Sequence, residues 1–152
     1  MHESHNTDQI IEKTIVQIFE NMYFMFPQRT AYSPNRFAFP MKCYLAQTQF
    51  INDKHAFRLI AAENLVSKMA MNFLGEKRPF EYTELIDIFR EAANVIVGNF
   101  ISASHMPVDV RFDIPEVTPL AIAAYEADHS YEVDQMYVIE NNFFRIALFG
   151  RH

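Results

Sequence analysis

One segment, residues 83–102 (TELIDIFREAANVIVGNFIS), constrains the fold more than any other part of the chain. Apolar side chains recur in it at intervals of three and four residues, which is the spacing of one face of an α-helix. That face comprises Leu85, Ile86, Phe89, Ala92, Ala93, Ile96, Val97 and Phe100. The segment therefore predicts a long amphipathic helix, and its apolar face requires a second layer of structure to cover it.

The other side of the same helix carries what we call the polar stripe. Its members follow one another at steps of three and four residues and stack along the helix; they are Glu84, Asp87, Glu91, Asn94 and Gly98. A glycine inside a helix costs about 1 kcal/mol relative to alanine. We therefore expect Gly98 to serve either a close packing contact or the close approach of a partner.

The first half of the chain predicts a helix, a β-hairpin and a second helix. In order, the patterns indicate a flexible tail (1–7), a helix capped by Asp8 and ending near Phe26, a loop (27–36), strands at 39–46 and 56–61 around a turn (52–54), and a helix from Glu63 to a left-handed cap at Gly75. The alternation of apolar and polar residues carries the two strand predictions.

The second half repeats that order. After the long helix come a strand at 108–114, a break at Pro115 and Pro119, a further strand at 120–125, and a hairpin of 131–139 and 143–149 turned at 140–142. These patterns predict an α+β fold, with an antiparallel sheet, long helices packed on one face, and an internal duplication. A single domain would span 8–152, with the polar stripe displayed to water.

Composition narrows the class of protein. The 152 residues suffice for one domain, and half of them are hydrophobic, as in a folded chain. The net charge of −6 argues against a nucleic-acid surface, which needs clustered basic residues. The single Cys43 suits a reducing compartment. The N-terminus does not resemble a signal peptide, and no apolar run approaches the ~18 residues of a membrane span, so we expect a cytoplasmic protein.

The polar stripe limits the chemistry that the chain can perform. A carboxylate offers charge and acceptors, whereas a carboxamide donates and accepts hydrogen bonds but cannot act as a base near neutral pH. Glu91 and Asn94 lie one turn apart, so the first could anchor a cation while the second orients a water molecule. Because the stripe lacks a nucleophile, a metal set or a base, the reactive bond would belong to a partner.

The polar stripe contains Asp87-x-x-x-Glu91-x-x-Asn94 with a downstream proline, and it is flanked by segments such as IFENMYFMF, AENLVSKMAMNFLG and FDIPEVTP. In these residues the chain resembles the CheC, CheX and FliY family of chemotaxis phosphatases. In the first helix, Glu20 is followed at plus three by Tyr23, which favours the CheX branch over CheC. The resemblance implies a CheC-like α+β fold and a homodimer formed through sheet edges, for which we expect residues 131–149 to serve.

The family resemblance also implies a reaction. Its members dephosphorylate the aspartyl phosphate of a CheY-type response regulator. Glu91 would pair with the regulator's lysine, and Asn94 would orient the attacking water. This chain would bind no cofactor, and Mg²⁺ would sit on the partner.

Other interpretations of the same residues remain open. The domain could dock a receiver domain without hydrolysing its phosphate, or form a structural oligomer whose Glu91 and Asn94 belong to an ordinary solvated face. Asp87 could contact the partner or simply pair with Arg90 or Lys77. Glu126-x-x-His129 has the spacing of di-iron sites, but those need two such motifs and further glutamates, so we expect no metal.

Overall fold

Three helices and six strands make up the part of the chain that the computed structural model describes, residues 2–31, 42–104, 106, 109–121 and 131–150. They are α1 (His2–Tyr23), β1 (Gln28–Thr30), β2 (Lys42–Gln49), β3 (His55–Ala62), α2 (Glu63–Leu74), α3 (Tyr82–Ala103), β4 (Glu116–Ala121), β5 (Tyr131–Ile139) and β6 (Asn142–Gly150). Side chains are described at these positions except 2–5 and 121.

The strands form one antiparallel sheet in the order β1-β5-β6-β3-β2-β4. Exchanging β1 with β4, β2 with β5 and β3 with β6 gives the same order read backwards. α1 precedes the first three strands and α3 precedes the last three. The sheet therefore has a pseudo-two-fold arrangement, and both the predicted α+β class and the predicted duplication are confirmed.

The helices cover one face of the sheet and enclose the main core. Alternate side chains of each strand point to opposite faces, and on the helix side they include Tyr44, Phe57, Leu59, Tyr137, Phe144 and Ile146. The other face carries a smaller buried cluster of Cys43, Ile60, Met136 and Phe143. Burial raises the pKa of the Cys43 thiol to about 11, so the thiol stays protonated near neutral pH.

α3 forms as its apolar spacing predicts. It begins with a capping box, in which the side chains of Glu81 and Glu84 each bind the other residue's backbone. Its buried residues are Leu85, Phe89, Ala92, Ala93, Ile96, Val97 and Phe100, whereas Ile86 is only half-buried. Full burial of a large apolar side chain stabilises a fold by roughly 1.5–3 kcal/mol. The core therefore fixes which side of α3 faces water.

Turn chemistry explains the other elements that were predicted correctly. Gly75 caps α2 in the left-handed region at φ 69°, as expected of a helix-terminating glycine. Glu140 and Asn141, at φ 52° and 61°, connect β5 to β6. Positive φ at both residues of a two-residue connection matches the twist of the flanking strands.

The limits of α1 differ from the prediction. The helix begins at His2, earlier than the predicted start at Asp8, and the Asp8 carboxylate accepts hydrogen bonds from Arg29 at 2.7 and 2.9 Å. It ends at Tyr23 rather than Phe26, because Phe24 adopts φ 57°, outside the helical region.

The edge regions of the sheet were also predicted wrongly. The predicted loop 27–36 contains β1, which pairs with β5. The predicted strand 108–114 is absent from the described residues of that range, where Phe112 makes only an isolated bridge to Phe50. β4 instead begins at Glu116 and includes the predicted breaker Pro119, which an edge strand tolerates.

The predicted edge, residues 131–149, lies inside the sheet, because β5 and β6 are each bonded on both sides. β1 and β4 are the edges among the described strands, and the homodimer stays a prediction. Residues 39–41, 122–125, Glu126 and His129, which were also part of the predictions, lie outside the described residues. None of the described helices has the length and apolar character needed to cross a membrane.

Candidate functional site

The site is the middle of α3, where Glu91 and Asn94 are both exposed. Neither side chain hydrogen-bonds to any residue that the structure describes. They are three positions apart on one helix, so they lie about 4.5 Å apart along its axis and on the same side. Because the buried face of α3 fixes the helix rotation, the pair is held outward on a rigid support.

The N-terminal part of the polar stripe is engaged within the chain. Glu84 accepts hydrogen bonds from Arg78 at 2.7 Å and from the backbone N–H of Glu81 at 3.0 Å. The Arg78 contact, followed by that backbone N–H, lowers the pKa of Glu84 to about 2. Asp87 is 75% exposed and accepts from Arg90 at 2.9 Å, which is one of the pairings that the sequence left open. Glu84 and Asp87 are therefore bonded to arginines of the chain, whereas Glu91 and Asn94, in the middle of the polar stripe, are bonded to none that the structure describes.

A segment of the following loop lies along α3. The Arg90 Nε donates to the Pro115 carbonyl at 3.2 Å. At the other end, a Cβ added to Gly98 would lie 3.9 Å from the Phe112 ring, an ordinary contact distance. Phe112 to Pro115 thus follow the helix from Gly98 back towards Arg90. Gly98 faces the chain's own Phe112, with room for a methyl group, and its role in partner clearance stays a prediction.

Tyr23, the last residue of α1, lies within electrostatic range of Glu91. It is 1% exposed, and its backbone carbonyl accepts from Asn72 of α2 at 2.7 Å. Burial, and secondarily the negative charge of Glu91, raises the pKa of the Tyr23 phenol. The phenol therefore stays neutral at physiological pH.

The structure brings together groups that the sequence did not associate. Glu91 and Asn94 share one exposed surface as predicted, but the nearness of Tyr23 to Glu91 could not be read from linear spacing. The same holds for the Phe112 ring at Gly98. Only the pairing of Asp87 with Arg90 had a sequence signal, because residues three apart face each other on a helix.

The arrangement can anchor and orient but cannot by itself attack. Glu91 can accept hydrogen bonds from a partner ammonium or guanidinium group, and the Asn94 carboxamide can hold a water molecule by its oxygen. Among the described residues, no group of three or more histidines, cysteines and acidic residues is placed to hold a metal ion.

The α+β domain with its pseudo-two-fold antiparallel sheet has the fold of solved CheX and CheC-like chemotaxis proteins. The family model described as "Chemotaxis phosphatase CheX" matches residues 46–133, more than half of the chain. The chain therefore belongs to the CheX family of chemotaxis phosphatases. The matched range includes both Glu91 and Asn94.

Solved structures share the fold at low sequence identity. CheX from Vibrio vulnificus aligns with a TM-score of 0.70 at 15% identity, covering 94% of this chain and 95% of that one. The CheX–CheY–BeF₃–Mg²⁺ complex from Borrelia burgdorferi gives 0.64 at 11%, covering 95% and 97%. FliY from Thermotoga maritima gives 0.61 at 11%, covering 98% and 90%. A search of curated proteins by sequence returned no match.

Proposed function

We propose that the chain hydrolyses the aspartyl phosphate of a CheY-type response regulator. Glu91 anchors a lysine of the regulator, and Asn94 enters the phosphorylation site and orients the attacking water. The exposure of both side chains on a rigid helix, without hydrogen bonds to the described residues, is the observation that carries the proposal. Membership of a phosphatase family and the CheX–CheY complex among the similar structures support it.

The proposed reaction needs no nucleophile from this chain. The water oxygen attacks phosphorus, the bond between phosphorus and the aspartyl oxygen breaks, and the products are inorganic phosphate and the free carboxylate of the regulator. Mg²⁺ held by the regulator neutralises charge on the phosphoryl oxygens, as metal ions do in phosphoryl transfer. The contribution of Asn94 is positional: a water held in line with the bond that breaks reacts faster than one that must diffuse into that geometry.

The test follows loss of phosphate from a phosphorylated CheY-type receiver with the wild-type chain, Asn94→Ala and Glu91→Ala. Asn94→Ala should lower turnover by at least about 100-fold while retaining binding, because it removes a group that acts on the reacting water. Glu91→Ala should mainly weaken binding, because it removes the anchor. Asn99→Ala is the matched control, since Asn99 is an exposed asparagine of α3 whose amide binds the Val95 carbonyl instead.

Each outcome separates the candidate functions. Equal hydrolysis by wild type, Asn94→Ala and Glu91→Ala would refute the assignment of the pair. A wild-type chain that binds the receiver without accelerating phosphate loss would identify a docking module. Unchanged behaviour of the Asn99→Ala control is required before either loss is assigned to the site.

A further inference from the structure

Four exposed apolar side chains lie at or just beyond the C-terminal ends of α1 and α2, and we call them the apolar rim. They are Phe24 (67% exposed), Phe26 (71%), Phe73 (48%) and Leu74 (44%). Single exposed apolar residues are common on protein surfaces and need no explanation. Four at two adjacent helix ends, three of them phenylalanine, are typical of a surface that another molecule covers.

Two contacts join the ends of α1 and α2, so that the rim forms one patch. The Nδ2 of Asn72 donates to the Tyr23 carbonyl at 2.7 Å, and the rings of Tyr23 and Phe73 lie with centroids 6.1 Å apart. Phe24 directly follows Tyr23, and Leu74 directly follows Phe73. The apolar rim residues of the two helix ends therefore lie close together in the fold.

Tyr23 also connects the rim to the Glu91–Asn94 pair. α3 packs against both α1 and α2. Within this packing the charge of Glu91 contributes to the raised pKa of the Tyr23 phenol, so the two groups lie within electrostatic range of each other. The rim and the pair therefore lie on three helices that pack together, with the rim at the C-terminal ends of α1 and α2 and the pair in the middle of α3.

The backbone at Phe24 supplies a second observation. Its φ of 57° lies in the left-handed region, where a bulky side chain is strained. Phe24 directly follows the last residue of α1 and so occupies a helix-cap position at which glycine is usual. The Met25 N–H donates to the Phe19 carbonyl at 3.0 Å and closes the turn. The Phe24 ring is mostly exposed to water, so in the isolated chain its packing offsets little of the backbone strain. Strained backbone of this kind occurs preferentially at functional surfaces.

We propose that the apolar rim binds the receiver domain of the response regulator and supplies the larger share of the affinity, while Glu91 adds an ionic anchor and Asn94 acts at the phosphoryl group. This inference rests on the proposed function and adds a binding surface to it. The proposed ion pair between Glu91 and the regulator's lysine is a single exposed contact, and such a contact contributes about 1 kcal/mol or less, which is about fivefold in affinity. Protein interfaces instead draw most of their binding energy from a few aromatic anchors within a polar surround.

The decisive variant is Phe24→Gly, because glycine adopts the observed φ without strain. It removes the ring and relaxes the turn, so a loss of binding cannot be assigned to unfolding. Phe73→Ser tests the α2 side of the rim. Ile51→Ser is the control, since Ile51 is an exposed apolar residue in the connection between β2 and β3.

Calorimetry measures the affinity of each variant for a CheY-type receiver loaded with BeF₃⁻ and Mg²⁺, and steady-state assays with the phosphorylated receiver give KM and kcat. Phe24→Gly and Phe73→Ser should each weaken binding about 10-fold or more and raise KM by the same factor. Their kcat should stay within about twofold of wild type, because the reacting atoms are untouched. Ile51→Ser should match wild type in all three quantities.

The possible failures are distinguishable. Unchanged affinity of both rim variants, with hydrolysis intact, overturns the rim proposal and leaves the proposed function standing. A wild-type chain that binds without hydrolysis overturns the phosphatase assignment, while its affinities still test the rim. A wild-type chain that binds no receiver overturns both. Light scattering that shows a loss of dimer in the rim variants, with receiver binding unchanged, would assign the rim to a contact between copies and overturn the proposal.

Discussion

α1 and α3 are the same element of a duplicated scaffold, and they differ in what they present to water. Each has 22 residues and precedes one set of three strands. Each also has acidic residues that bind arginine. In α1 these are Asp8 and Glu12 with Arg29; in α3 they are Glu84 with Arg78 and Asp87 with Arg90.

The two helices diverge at one pair of positions. In α3 an exposed carboxylate at Glu91 is followed three residues later by the exposed carboxamide of Asn94. In α1 the exposed Glu20 is followed three residues later by Tyr23, which is almost fully buried. The comparison shows that both helices take the same place in the fold, although among the described side chains only α3 has an exposed carboxylate followed three residues later by an exposed carboxamide. The fold and the candidate site are therefore separable properties of this chain.

The largest effect is expected from an attempt to make α1 resemble α3. Tyr23→Asn, introduced into an Asn94→Ala background, creates the E-x-x-N spacing in α1. We expect no recovery of phosphate hydrolysis, because position 23 faces the core, and a loss of about 3 kcal/mol in the free energy of unfolding, because a large buried side chain is removed. Urea denaturation and the phospho-receiver assay measure both. Recovery of hydrolysis would show that α1 retains a latent second site.

A smaller effect of opposite sign is expected at Gly98. Gly98→Ala should stabilise the fold by up to about 1 kcal/mol, since alanine is the better helix residue and its Cβ would meet Phe112 only at 3.9 Å. Gly75→Ala is the control and should destabilise, because φ 69° strains any residue with a Cβ. Thermal unfolding measures both. If Gly98→Ala is more stable yet hydrolyses phospho-receiver more slowly, the glycine serves the approach of the partner.

The smallest expected effect concerns acid stability at the start of α3. The pKa of Glu84 falls from 4.5 to about 2 on folding, chiefly through Arg78. Its ionised form therefore contributes stability that is complete above about pH 4.5 and is lost as the pH falls towards 2. Glu84→Gln should be slightly less stable than wild type at neutral pH, and the difference should vanish near pH 2. A difference that does not depend on pH would contradict this account.

The sequence predicts most accurately those elements whose pattern reflects their own burial. The residue patterns of α3 and of the β5–β6 hairpin have a clear periodicity, and a glycine at position 75 is itself typical of a left-handed helix cap. β1 and β4 fail for one physical reason: an edge strand exists because a neighbouring strand bonds to it, as β5 does for Gln28–Thr30. The three residues of β1 are too few to show the alternation that predicts a strand. In β4, Pro119 predicts a break in the strand, because nothing in the sequence shows that this strand lies at the edge of the sheet.

The site divides in the same way. The outward direction of Glu91 and Asn94 follows from helical geometry, so the sequence could predict it. The position of Tyr23 near Glu91 depends on how α1, α2 and α3 pack, and no spacing along the chain encodes it. The strained Phe24 was equally hidden, because a phenylalanine in a left-handed cap contradicts ordinary residue preferences.

The interlaced strand order bears on how the chain reaches its native state. β1 bonds to β5, β3 to β6 and β2 to β4, and each of these pairings joins strands from opposite halves. When a ribosome has released only the first half, β1 has no bonding neighbour and β3 is open along one side. The sheet is complete only after the C-terminal hairpin, β5 and β6, has been synthesised. Acquisition of structure should therefore be a single, comparatively slow event governed by contacts distant in sequence.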